Sequence, residues 1–168
     1  AASGSNAFVT SLEFFYFSDE ISFVQSPLYD LSGFSSPMVS LDVWSQTNDL
    51  DDGAALQYTI DSAQTWITIG ANGSGTGWYN WTSAPTQGGL PQIGVMDFWS
   101  QEMNGWQNAS HPISELAGQP AVSFRIIFGS DSGDSEYDGF AFDNFSIDDF
   151  IPITGITEDF NDDLLTNW

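Results

Sequence analysis

The chain has no cysteine and no lysine, and its basic side chains are one arginine, Arg125, and one histidine, His111, in 168 residues. Without cysteine, disulfides can neither staple the fold nor mark its compartment. A lone imidazole with no cysteine argues against zinc chemistry. Against that single arginine stand 23 aspartates and glutamates, for a formal net charge of −22. Phosphate recognition needs lysine and arginine, so nucleic acid is excluded as a partner. Anionic membrane surfaces are excluded on the same ground. No apolar run approaches the ~18 residues of a membrane span, so no membrane insertion is expected. Helical periodicity is nearly absent; the one candidate turn is Pro112-Ile113-Ser114-Glu115-Leu116-Ala117. No serine sits in a Gly-x-Ser-x-Gly elbow, and no pair among the glutamates is marked by context for glycoside hydrolysis. An enzyme is not expected.

What is present is apolar and aromatic. Hydrophobic residues make up 41 % of the chain, with 14 Phe, 7 Trp and 5 Tyr. That suffices for one domain burying roughly 70 % of its unfolded surface. The apolar residues alternate with a period of two. Val39, Leu41 and Val43 do so, as do Leu56, Tyr58 and Ile60, then Val122, Phe124, Ile126 and Phe128, then Phe140 and Phe142. Turn-forming clusters separate them: Asp51-Asp52-Gly53, Ala71 to Gly75, Gln87-Gly88-Gly89. Short strands with glycine- and asparagine-rich turns predict an all-β, antiparallel jelly-roll β-sandwich. Trp44 and Trp66, lying inside strand patterns, are expected in its core. The stretch from Asn72 to Asn108 carries Trp78, Trp81, Trp99 and Trp106 amid glycine and proline, and reads as a long decorated loop region.

The densest chemistry is acidic. Asp131, Asp134, Glu136, Asp138 and Asp143 crowd between two strand-like segments. Charges so placed repel unless a cation or a hydrogen-bond network compensates them. Calcium takes six to eight oxygens and suits such a set, so a structural Ca²⁺ site is expected. Asp134-x-Glu136-x-Asp138-Gly139 partly mimics an EF-hand loop, but Phe145 stands where the closing glutamate would be. A solvated acidic loop is the alternative.

The order of motifs is recognisable. Asn6 to Thr10, Ser26 to Ser32, Asp52 to Tyr58, Thr65-Trp66, Gly77 to Asn80 and Phe124 to Asn144 follow one another. Over residues 1–150 this resembles the MAM-like jelly-roll modules of secreted and cell-surface proteins of Bacteroidetes, and more distantly Reelin repeats. The resemblance implies an extracellular, secreted or cell-surface location, export by the type IX route, and a non-catalytic, calcium-stabilised module of a surface adhesin, gliding-motility adhesins included. Such a module attaches to a surface or glycan ligand, or spaces neighbouring modules of the same polypeptide. An accessory domain of a secreted hydrolase is the other role it allows. The resemblance implies Asp143 and Asp138 as first cation ligands, then Asp52 and Asp131.

The aromatic run Trp78-Tyr79-Asn80-Trp81, with Trp106, could stack sugar rings as a ligand-binding platform; tryptophan in sandwiches equally plugs the core or pins a loop. Arg125 is expected to pair with a carboxylate across the sheet, and His111 to occupy a turn. The opening Ala1-Ala2-Ser3-Gly4 suggests a mature piece or fragment of a longer product. Residues 151–168 read as a linker followed by a strand resembling the start of a module. That strand either belongs to a following module or completes this sandwich, within the chain or from another copy.

Overall fold

The computed structural model describes residues 1–12, 14–48, 51–85, 87–133 and 136–150. The linker and strand expected over 151–168 lie outside the described residues, as does Asp134 of the acidic loop. The chain is all-β and antiparallel. In order it forms β1 (Phe8–Val9), β2 (Ile21–Gln25), β3 (Pro37–Gln46), β4 (Gly53–Thr59), β5 (Ile67–Thr68), β6 (Trp81–Thr82), β7 (Asp97–Phe98), β8 (Gln107–Pro112), β9 (Ser123–Gly129) and β10 (Gly139–Asp149). One sheet runs β1-β10-β3-β8 and the other β2-β9-β4-β5, with β6 and β7 pairing apart. The chain therefore crosses between these two layers from β1 to β2, β2 to β3, β3 to β4, β8 to β9 and β9 to β10. The helical turn expected near Pro112 is a single 3-10 turn, Ser114–Leu116.

Alternation decides which side chains enter the core. Along β3 every second residue is buried, Val39, Leu41 and Val43 among them. They meet Leu56, Phe124, Ile126 and Phe128 of the facing sheet. Full burial of one such side chain contributes about 1.5–3 kcal/mol. The same period sends Trp44 to the opposite side of β3, where it is only half-buried. The expectation that Trp44 is core thus fails by one step of the strand. Trp66 is half-buried too, beneath the Arg125 guanidinium 4.2 Å from its ring centre.

β10 keeps facing the core only because it changes register. Its pairing with β3 slips between Asp143 and Ser146, and Asn144 adopts φ 52°. The bulge shifts parity, so that Phe145 and Ile147, like Phe140 and Phe142 before it, pack on the core.

The segment from Ile69 to Trp99 closes one side of the sandwich. Trp99 pairs with Ala54 through two backbone hydrogen bonds. Trp78 meets Trp99 edge-on at 5.1 Å, and Trp99 stacks on Phe140 at 5.9 Å. A Cβ on Gly53 would run into the Trp99 carbonyl and the Phe98 ring, which is why glycine follows Asp52 here.

Candidate functional site

The acidic residues are satisfied largely by hydrogen-bond donors. Asp52 is 2 % exposed. Its Oδ2 accepts a 2.6 Å bond from the Tyr16 hydroxyl and its Oδ1 a 2.8 Å bond from the Asp131 amide. Its backbone carbonyl accepts from the hydroxyls of Thr47 and Ser100. Burial pushes the Asp52 carboxyl up to about 6, against the opposing pull of the Tyr16 bond. The Tyr16 phenol rises as well, through burial first and its bond to Asp52 second. Asp51 beside it is raised by burial and by the Asp131 charge.

Asp143 lies elsewhere, beside Asp42 on the neighbouring strand. Its Oδ2 accepts from the amides of Ser3 and Ala2 and its Oδ1 from that of Asn144. The Ser3 amide, then those of Asn144 and Ala2, hold its carboxyl below the ordinary range. Asp143 therefore pins the N-terminal residues to the β10 bulge. Asp131 Oδ1 accepts from the Gly133 amide at 2.6 Å, and Asp138 is exposed. The structure brings Asp52 and Asp131 together and leaves Asp143 and Asp138 apart from them. Among the described residues no three carboxylates or imidazoles gather as a metal-ligand group. The oxygens of Asp52 and Asp143 already accept from N–H and O–H donors.

The aromatic expectation needs correcting. Trp78 is 1 % and Tyr79 4 % exposed. The Trp78 indole donates to the Ile69 carbonyl, and the Tyr79 hydroxyl bonds the backbone of Leu56. Neither offers a face to a sugar. Both are placed by a run that crosses the open end of the sandwich, where the largest rings fill the most space. Trp81 is half-buried against the core. Trp106 alone of the four faces an open hollow.

That hollow lies on the outer face of the β1-β10-β3-β8 sheet and measures about 540 Å³. Val9 pairs with Ala141 and Ala141 with Trp44, so these three form a row across the sheet. Trp106 stands one step beyond the Val43–Gln107 pair, at the same height. Leu12, Phe14 and Phe15 rim the hollow, with Ser11 and Asp138 as its polar groups. Phe14 is 79 % exposed. The rim is held from below by Tyr16, whose hydroxyl donates to Asp52 and accepts from the Asn48 amide. The signal was present in the sequence as Phe14-Phe15-Tyr16-Phe17. Four consecutive aromatics cannot all bury on an alternating or looping backbone, and here only Tyr16 does.

Arg125 donates from Nε to Gln57 Oε1 at 2.8 Å and lies over Trp66; among the described residues it has no carboxylate partner. The expected ion pair is replaced by an amide and an indole. His111 sits in β8 rather than a turn, with Nε2 2.9 Å from the Ser74 hydroxyl and its ring against Trp78.

No family model matches the chain, and no curated protein matches it. No helix among the described residues is long and apolar enough to cross a membrane.

Proposed function

We propose that this chain is a non-catalytic binding module that holds a neutral glycan in the outer-face hollow, within a surface-attachment protein. The observation that supports it is two indoles, Trp44 and Trp106, placed side by side outside the core and rimmed by Phe14 and Phe15, with the Asp138 carboxylate at hand. Sugar rings present axial C–H faces to aromatic planes and hydroxyls to carboxylates. Concave, mostly apolar sites with a few polar groups are the usual form of a small-ligand site. A net charge of −22 repels anionic polymers and leaves neutral ones as the fitting class.

Chemistry is poorly served by the same residues. The one imidazole is engaged by Ser74 and lies tilted against Trp78. Of the two carboxyls raised by burial, Asp52 is sealed under Tyr16 and Asp51 accepts from the Ser83 hydroxyl. The test is calorimetric titration of neutral oligosaccharides and polysaccharides into the protein, with indole fluorescence alongside. Trp44→Ala and Trp106→Ala should each weaken binding about tenfold, near 1.4 kcal/mol, while Trp66→Ala, on the other sheet, should leave it unchanged. Binding that survives the Trp44→Ala/Trp106→Ala double substitution rejects the hollow, and release of reducing sugar rejects the non-catalytic reading.

A further inference from the structure

The outer face of the β2-β9-β4-β5 sheet carries the chain's lone guanidinium. Phe124 and Ile126 turn into the core, so Arg125 between them turns out. Gln25, Arg125, Gln57 and Thr68 stand in register as one polar row across the four strands. Their bonds fix one another. The Gln57 amide donates to the Thr68 hydroxyl at 3.1 Å, which leaves its Oε1 to accept from Arg125 Nε at 2.8 Å. Gln25 donates likewise to the Ser123 hydroxyl. Each edge of the sheet then adds a ring. The ring centre of Phe23, on β2, lies 5.3 Å from the guanidinium carbon, and that of Trp66, just before β5, lies 4.2 Å from it. The guanidinium is thus held at Nε and against two rings. It has five N–H donors, and only the one on Nε has a hydrogen-bond partner among the described residues.

We propose that Arg125, Phe23 and Trp66 form a site for one carboxylate carried on a flat, otherwise neutral ring. The chain has 23 acidic residues from which this cation could draw a partner, yet the sheet supplies an amide. An amide orients the guanidinium and leaves its charge uncompensated. The terminal nitrogens form a fork that fits both oxygens of a carboxylate. Because Gln57 and Thr68 fix that fork beforehand, little side-chain freedom is lost on binding. Phe23 is 58 % exposed and Trp66 half-buried, so a ring attached to the carboxylate finds a flat apolar surface beside it. The net charge of −22 narrows the class further. A polyanion is repelled along its whole length, whereas a single carboxylate on a neutral body meets that field once. The site lies on the sheet opposite the hollow proposed for neutral glycan and stands independently of it.

The test follows the unsubstituted chain by nitrogen–proton correlation spectroscopy, where one arginine and no lysine leave a single arginine Nε–H signal to assign. Benzoate and glucuronate are titrated in at constant ionic strength, with benzamide and glucose as their neutral twins. The Arg125 Nε–H and Trp66 indole signals should shift to saturation with a carboxylate and stay still with its twin. Saturation by benzoate alone assigns the site to aromatic acids, and by glucuronate alone to acidic sugars. Arg125→Gln should weaken binding about tenfold or more, read at the Trp66 indole. Arg125→Lys, which keeps the charge and loses the fork, should recover little of it. Trp66→Ala should weaken it too, while the Trp44→Ala/Trp106→Ala double substitution leaves it intact. Shifts that the neutral twins or sodium chloride reproduce overturn the inference, as does carboxylate binding that Arg125→Gln leaves unchanged. Failure of both carboxylates to saturate the signals overturns it as well.

Discussion

Asp52 is where burial and charge oppose each other most directly. Its folded-state carboxyl titrates near 6, above the ordinary value of about 4 for an unfolded aspartate, because desolvation outweighs the two hydrogen bonds it accepts. Between pH 4 and 6 the folded state therefore binds more protons than the unfolded one. Stability must fall as pH rises through that window, by up to about 1.4 kcal/mol per pH unit from this group. The thermal midpoint should accordingly be higher at pH 5 than at pH 7.5, and Asp52→Asn should flatten the difference. Below pH 4 the sign reverses, because Asp143 and Asp61 are held low by hydrogen bonds to their charged forms. Tyr16→Phe removes the donor to Asp52 and the acceptor of the Asn48 amide at once. It should cost about 1–3 kcal/mol in a denaturant titration and weaken glycan binding through the loosened Phe14–Phe15 rim. Asp52 drew attention in the sequence as a carboxylate beside a glycine. Its partner did not, because a hydroxyl 36 residues away leaves no mark in spacing.

Elements were legible where a pattern of two repeats often enough to fix parity. β3 alternates in burial as its sequence does, β4 and β9 form as strands but are buried on nearly every residue, and the all-β antiparallel sandwich follows from these strands with β10. Trp44 was misplaced by residue type against parity: flanked by buried Val43 and Ser45, it could only point outward. The bulge in β10 was not legible, since Asn144 in a left-handed conformation is a tertiary choice. Nor was the plug, because four tryptophans among glycines fit a binding platform and a packed cover equally well. What settles the matter is the backbone contact of Trp99 with Ala54, which brings the whole segment against the core. Two substitutions measure it. Gly53→Ala forces a methyl into the Trp99 carbonyl and should destabilise by about 1–3 kcal/mol, as overpacking does. Trp78→Ala empties the centre of the plug and should cost about 3–5 kcal/mol, read as a lower urea midpoint.

At the scale of the molecule, a core that alternation specifies well is wrapped in charge of one sign. The protein carries 23 acidic residues with one arginine to offset them, and that arginine is engaged by Gln57 and Trp66. Each surface carboxylate thus sits in the field of its neighbours, which favours the expanded, unfolded chain in which they are farther apart. Raising ionic strength from 0.01 to 1 M shortens the screening length from about 30 to 3 Å and removes most of that repulsion. The thermal midpoint should therefore climb steadily with sodium chloride, in the unsubstituted chain and in Asp143→Asn alike. Calcium chloride at matched ionic strength tests whether a cation does more than screen. The described carboxylates of Asp52 and Asp143 are already bonded to N–H and O–H donors and gather in no group of three. The expected rise is then the same for both salts. A rise specific to calcium would instead point to a bound cation, and its loss in Asp131→Asn would place that cation at Asp131.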